Sequence, residues 1–500
     1  MIRKPCTKCH KTHTDSTKVC SKCLSKLLVA RIKKKVNTGD FTYTEDQIKC
    51  IAAITEFLRD SARRIFQLTG RPGVGKTEVL KYFGGNGVVY LTPTHKAKHV
   101  LSERVKGLVM TIHRFLGISM EYDKEGRLIN ITNDHSIEKN MEDVNVLILD
   151  EASMVPFNLY EALVDNCYIY NVKLITSGDR HQLPPVVAKR RSEMNECELA
   201  DEPPFYHYLP IDFELKVNVR NDNTEYNALL DSIRDALDAN DYSFTTYAKI
   251  KDLMCSTACV NISERPVNNV SYMRETLHTI VDAFWSNDGG DEVVMLAHRT
   301  NPTKIDTVSL LNKVIREFKF GENPARFNEG ERLLFTNYYE GHDGFNTVKY
   351  NTCDKIVVND LRVESVKYHT RTFDVYVMTD IQRGVNLRYP KTDKDLELFK
   401  ESALELRAIV KRKIKHMTDS VMISAEWRKF FRERDSVKAP IDYSYALSIH
   451  KSQGSSYGLI YTYISDFVWM ANHKNTQHKK QFYRLLYVAL SRSKTNSIVF

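Results

Sequence analysis

Gly70-Arg71-Pro72-Gly73-Val74-Gly75-Lys76-Thr77 has the form Gly-x-x-x-x-Gly-Lys-Thr, and the rest of the chain is read outward from it. Gly70, Gly73 and Gly75 leave backbone N–H groups free to surround phosphates, Lys76 reaches the terminal phosphates, and Thr77 offers its hydroxyl to magnesium. The flanks match what such a loop needs. Ile65-Phe-Gln-Leu-Thr69 predicts a short buried strand entering it. Glu78 to Phe83 continues from the lysine as a helix whose N-terminus faces the anion.

Two further strands bring polar residues to the same edge of an α/β sheet. The apolar run Asn145-Val-Leu-Ile-Leu149 predicts a buried strand with Asp150 and Glu151 at its carboxyl end, where parallel sheets carry chemistry. Asp150 would hold magnesium through water, and Glu151 would orient and deprotonate the attacking water, because phosphoryl transfer needs positioning and charge neutralisation. A carboxylate pair that only caps a helix is the plainer alternative. Val172-Lys-Leu-Ile-Thr176 predicts a third strand, after which Gly178-Asp179-Arg180-His181-Gln182 puts Gln182 where a γ-phosphate could be sensed.

Asp150-Glu151-Ala-Ser-Met154 followed by Gly178-Asp-Arg-His-Gln182-Leu-Pro-Pro185 resembles the RecD-like and phage Dda-like branch of superfamily 1 helicases, over about residues 40 to 500. That resemblance implies two tandem RecA-like P-loop NTPase domains, with ATP and Mg2+ as the bound species. Tyr43-Thr44-Glu45-Asp46-Gln47 resembles the segment in which a glutamine reads adenine, so Gln47 is the expected adenine contact. Thr92-Pro93-Thr94-His95 and Thr111-Ile112-His113-Arg114-Phe115 resemble strand-tracking motifs. Their hydroxyls would serve phosphates and Phe115 a base face, although an aromatic there is also ordinary core. The motif from Ser448 through His450, Ser452 and Gly454 to Ser456 resembles the one that couples strand to nucleotide. Arg220 and Arg492 would be arginine fingers supplied by the second RecA-like domain, adding charge to the transition state.

The implied layout is a zinc-binding basic module over 1–40, a first RecA-like domain over 41–204, a second over 205–322 and 440–500, and a β-barrel-like insertion over 323–439. Met120 to Ile131 reads as two alternating strands around a Gly-containing turn, within an irregular region at 118–142. In the family a hairpin there is the wedge that parts duplex ends; a plain surface hairpin is the other reading. Glu331–Phe335, Lys355–Val358 and Thr372–Met378 are short strands consistent with a small barrel, which in the family is of Src-homology type, and Leu396 to Met417 is helical by spacing. The implied activity is an ATP-dependent helicase moving 5′ to 3′ on single-stranded DNA and acting at duplex junctions in replication, recombination or repair, as a monomer. An RNA helicase, or a nucleotide-gated clamp or loader without processive unwinding, stays open. A small-molecule phosphotransferase would not need strand-tracking motifs.

Cys6-x-x-Cys9 and Cys20-x-x-Cys23 are spaced for a tetrahedral Zn2+ site, in a segment too small to fold readily without metal. Disulfides are the alternative, but 10 cysteines in 500 residues and no secretory leader suit a reducing, intracellular compartment. Cys255 and Cys259 read as buried free thiols. Residues 1 to 40 carry eleven Lys/Arg against two Asp, whereas the remainder carries 61 of each sign, so the whole formal excess of +9 lies at one end. Counterion release would let this module bind nucleic acid; a solvated tether or a docking site for replication or repair proteins is equally open. No stretch approaches eighteen apolar residues, so no membrane partner is expected.

Overall fold

The computed structural model describes residues 42–185, 210–220, 223–257, 293–298 and 306–499, isolated positions 203 and 278, and two short strands near the start. Those strands, Lys4–Pro5 and Thr12–His13, pair antiparallel with Pro5 opposite Thr12. Cys6, Cys9, Cys20 and Cys23 lie outside the described residues. The chain divides into two compact units, residues 1–116 with 134–227, and residues 117–133 with 228–500.

The first unit is built on a six-stranded parallel sheet of β1 (Ile65–Gly70), β2 (Val88–Thr92), β3 (Leu108–Thr111), β4 (Val146–Leu149), β5 (Lys173–Gly178) and β6 (Phe213–Leu215), in the order β6-β1-β5-β4-β2-β3. All six residues of β1 are buried, as expected of a strand covered on both faces. Helix α1 (Glu45–Arg59) starts at a capping box in which Thr44 and Gln47 satisfy each other's backbone N–H groups. Its Ile48, Ile51, Ile54 and Phe57 pack on Phe66, Leu68, Ile148 and Ile175 of the sheet.

The expected boundary near residue 204 is displaced. Strand β6 pairs with β1, Leu215 opposite Gly70, so this unit continues to Asn227. Arg220, expected from the second lobe, therefore belongs to the first. The reason is edge pairing: β1 would otherwise expose an open ladder of N–H and C=O groups.

The second unit contains a smaller parallel sheet of β7 (Val293–Ala297), β8 (Ala446–Ser448), β9 (Tyr457–Thr462) and β10 (Ser493–Val499), ordered β8-β7-β9-β10. Asn312, on the helix Thr307–Phe320, ties that helix to β8 by exchanging two hydrogen bonds with Ala446, at 3.2 and 2.8 Å.

Between β7 and β8 in sequence lie three short antiparallel ladders. Arg332–Phe335 sits between Lys355–Val357 and Ile441–Tyr443; Tyr339–His342 pairs with Thr347–Tyr350; Asn359–Tyr368, Arg371–Asp380 and Val385–Pro390 form a meander. They share one core that includes Phe327, Leu333, Phe335, Tyr350, Met378 and Leu387. Ile441–Tyr443 completes the first ladder, so the insertion runs slightly past residue 439. The expected Leu396–Met417 helix is α3 (Asp393–Ile414), followed by α4 (Ser420–Val437).

The hairpin is present, Ile118–Tyr122 against Leu128–Thr132. Asp123 Oδ1 accepts from the N–H groups of Glu125 and Arg127, both at 2.8 Å, and these bonds hold its carboxyl below the usual carboxylate range. Gly126, at φ +74°, completes the turn. The hairpin packs on α3 and α4. Tyr122 stacks on Phe431 at 4.7 Å, Tyr122 N–H donates to Ser424 Oγ at 3.1 Å, and Arg407 donates to the Glu125 carbonyl at 3.1 Å.

Among the described residues, no helix is long and apolar enough to cross a membrane. Cys255 is exposed rather than buried, near the end of the helix Phe244–Thr257.

Candidate nucleotide site and strand-contact residues

The phosphate loop leaves β1 and enters helix α2 (Lys76–Lys81) through two residues that require positive φ, Gly73 at +90° and Gly75 at +80°. The loop is enclosed on both sides by its own unit. Gln47 Nε2 donates to the Val74 carbonyl at 3.0 Å, and a Cβ on Gly75 would lie 2.3 Å from that nitrogen. On the other side Val219 N–H donates to the Gly73 carbonyl at 2.9 Å, and a Cβ on Gly73 would lie 2.6 Å from Asn218 Oδ1. Glycine is required here by approach as well as by φ.

Lys76 Nζ donates to the carbonyls of Gly70 at 2.6 Å and Arg71 at 3.1 Å, which folds the side chain back over its own loop. Burial pushes the ammonium below the ordinary lysine range, Asp179, Glu151 and Asp150 oppose that, and Arg220 adds to it. Thr77 Oγ1 donates to Asp150 Oδ2 at 3.0 Å. A hydroxyl and a carboxylate at hydrogen-bond distance below a helix N-terminus suit Mg2+ with the phosphates of ATP.

Glu151 follows β4 with φ +55° and ψ +39°, an uncommon left-handed conformation for glutamate, and its N–H donates to Asp150 Oδ1 at 3.0 Å. Strained backbone of this kind is concentrated at functional sites. The segment after β5 is buried. Asp179 Oδ1 accepts from His181 N–H at 3.1 Å and faces His181 Nδ1 at 3.3 Å. Gln182 is 2 % exposed, and its Oε1 has no hydrogen-bond partner among the described residues. A buried amide oxygen left unpaired costs stability unless a ligand or water completes it.

The structure thus brings Gly70, Gly73, Gly75, Lys76, Thr77, Asp150, Glu151 and Arg220 together in one unit. Gln47 is there too, but its amide already caps α1 and props the loop, a structural role beside the expected adenine contact. Sequence reading missed Asn218 and Val219, which wall the loop. Their docking depends on β6 adding to the sheet, which no local pattern announces.

The expected strand contacts fare unevenly. Thr92 Oγ1 donates to the Thr94 carbonyl at 3.1 Å, Thr94 Oγ1 accepts from Ala97 N–H at 3.1 Å, and Thr111 caps the helical turn Ile112–Phe115. These hydroxyls shape the carboxyl edge of β2 and β3. His95 and His113 stand there as well, each held below the ordinary histidine range by burial. Phe115 is corrected: its ring is fully buried, so it is core and no base can stack on it.

In the second unit, the 448–456 motif turns from β8 into the short helix Ile449–Ser452. Ser452 is fully buried and its Oγ donates to the Ile449 carbonyl at 2.7 Å, so its hydroxyl is committed to the turn, a correction to its expected contact with the nucleic-acid strand. The rings of His450 and His298 lie 6.0 Å apart. Gly454 takes φ +72° with open space around it. Arg492, at the end of α5 (Thr476–Ser491), is 3 % exposed, and its Nε and one Nη have no hydrogen-bond partner among the described residues.

Residues 54–188 match the model of the AAA domain, and residues 443–500 match that of the UvrD-like helicase C-terminal domain. The chain is an ATP-dependent helicase. It is 22% identical over 492 residues to the uncharacterized protein R530 of Acanthamoeba polyphaga mimivirus, covering 86% of this chain and 94% of that one. It is 25% identical over 205 residues to the ATP-dependent DNA helicase dda of Enterobacteria phage T4, covering 38% and 45%. The crystal structure of Bacteroides Pif1 bound to ssDNA aligns over 92% of each chain, with a TM-score of 0.48 and 18% identity.

Proposed function

We propose that this helicase moves 5′ to 3′ along single-stranded DNA and parts duplex at junctions, with the hairpin Ile118–Thr132 as its wedge. The observation that carries the reading is the Lys76, Thr77, Asp150 and Glu151 constellation in a chain whose far end matches a helicase C-terminal domain. The likeness to the phage T4 DNA helicase supports DNA as the track. Asp150 and Thr77 hold Mg2+, Glu151 activates water, Gln182 senses the γ-phosphate, and Arg492 with Arg220 supplies positive charge as the transition state forms. Strand-stimulated hydrolysis that disappears in Lys76→Ala, together with release of a strand from 5′-tailed but not 3′-tailed duplexes, tests it. ATP turnover indifferent to added single strands would overturn the motor. Hydrolysis without strand release would leave a clamp or loader, and equal action on RNA duplexes would make it an RNA helicase as well.

Cys6, Cys9, Cys20 and Cys23 hold Zn2+ in this reading, and the basic module they organise binds nucleic acid, in a reducing compartment. The spacing supports it, as does the antiparallel pairing of Lys4–Pro5 with Thr12–His13, which brackets Cys6 and Cys9. One Zn2+ per chain by elemental analysis, lost in Cys6→Ser, is expected. An unchanged salt dependence of DNA binding after removal of residues 1–40 would exclude the module from the DNA contact.

A further inference from the structure

Trp469 has no part in the site described above. It lies in the single helical turn Val468–Met470, and it alone faces outward. Phe467, Val468, Met470 and Ala471 are 6 % exposed or less, whereas Trp469 is 49 % exposed. Two imidazoles stand against the indole, His473 at 5.7 Å and His478 at 5.5 Å between ring centres, and the two imidazoles meet edge to face at 4.4 Å. The first of them is fixed in place. Asn475 N–H donates to His473 Nδ1 at 3.0 Å while the Asn475 side chain caps α5, accepting from Gln477 N–H at 2.8 Å. That bond leaves the other nitrogen, Nε2, as the ring's remaining polar edge.

The sequence around this aromatic group carries charge of one sign, although Lys479 Nζ also donates to the Tyr242 carbonyl at 3.3 Å. From Phe467 to Lys480 there is no Asp or Glu, and Lys474, Lys479 and Lys480 are all present. The acidic residue just before the stretch, Asp466, is already engaged, accepting from His298 N–H at 2.9 Å and Thr307 Oγ1 at 2.8 Å. The turn follows β9 at the carboxyl edge of the second sheet, the edge at which β8 hands over to His450. Phe467 touches His298 at 6.3 Å, and His298 in turn faces His450.

The geometry points to Trp469, with His473 and His478, as a further binding site for single-stranded nucleic acid, in which one base stacks on the exposed indole and the flanking lysines meet the backbone phosphates. An aromatic face flanked by cations attracts an anionic strand of stackable bases, and indole stacking tolerates any base. The inference rests on the reading of the chain as a strand-tracking motor, and it adds a contact beyond the strand-tracking motifs.

The test uses the full chain with a fluorescein-labelled oligothymidylate. Trp469→Ala should weaken binding roughly tenfold, which is the usual loss when a stacking platform is truncated. The oligonucleotide concentration for half-maximal ATPase stimulation should rise by the same factor, with maximal turnover unchanged. Trp469→Phe should restore most of the affinity while abolishing the part of the strand-induced quenching of intrinsic fluorescence that Trp469 provides. Affinity unchanged in Trp469→Ala, with the thermal midpoint of the wild type, would overturn this site and leave the motor standing. Wild-type protein that binds no single strand would overturn both.

Discussion

The phosphate loop and the hairpin are each short, and each turns on a glycine at positive φ, but they are held in opposite ways. The loop takes its shape from eight consecutive residues and from α1 and β1 just before it, so its partners lie close in sequence except for Asp150 and the 215–220 segment. The hairpin takes its position from residues about three hundred places further on. Ser424, Trp427, Phe431 and Arg407 hold its first strand and its turn, and Lys411 pairs with Glu125. One element is a catalytic device fixed where it is encoded. The other is a hairpin whose placement is set by a separate helical pair packed against it. The proposed chemistry and the proposed strand separation thus rest on different contacts, and substitutions should separate them.

The largest expected effect breaks the loop side alone. Glu151→Gln keeps the size of the side chain but removes the base proposed above, so strand-stimulated ATP turnover should fall about 10²- to 10⁴-fold. Nucleotide binding and the melting profile should stay near wild type, and a turnover within threefold would remove Glu151 from the chemistry. Next comes the brace. Trp427 is fully buried among Ile414, Ile423, Phe430 and Phe431. Trp427→Ala should cost about 3–5 kcal/mol in the second unit. Strand separation should drop with it, while ATP binding measured by a fluorescent nucleotide persists. Equal loss of both would show that loop and hairpin are not independent.

The same contrast explains what could be read before the structure. Strands β1, β4 and β5 were legible because a parallel strand covered on both faces is a continuous apolar run, and the residues after each run fell at one edge of the sheet as expected. The hairpin strands were legible from their alternation, but their brace was not, since Trp427 and Tyr122 are far apart in sequence. Arg220 falls in the first unit against expectation because β6 is three residues long, too short for the sequence to announce that it completes the first sheet. The ligand-contact readings of Phe115 and Ser452 fail for a common reason, and for Phe115 the core alternative holds. A motif reports residue type and spacing, while burial decides whether a ring or hydroxyl is free to meet a ligand, and both side chains are turned inward.

A matched pair of glycines sharpens the comparison with smaller effects. Gly75→Ala and Gly126→Ala each force alanine into positive φ, at about 1–2 kcal/mol. Each new methyl also meets a neighbour, Gln47 Nε2 at 2.3 Å in the loop and the Trp427 ring at 3.0 Å in the hairpin. Gly75→Ala should weaken nucleotide binding and leave the melting of the second unit unchanged. Gly126→Ala should do the reverse, and a nucleotide defect in Gly126→Ala would argue against separate support.

The smallest effect probes a single bond of the brace. Ser424 is fully buried, and its Oγ accepts the Tyr122 N–H, joining α4 to the hairpin between Tyr122–Phe431 stacking and the turn over Trp427. Ser424→Ala removes the acceptor without touching the apolar contacts, so the part-buried N–H loses its partner at a cost of about 1 kcal/mol. Because Tyr122 pairs with Leu128 in the hairpin, the strand itself should survive and only its anchoring should loosen. Amide exchange at Tyr122 should accelerate several-fold relative to its neighbours, with ATP turnover unchanged. Exchange at Tyr122 as slow as in the wild type would mean that stacking alone holds the hairpin to its brace.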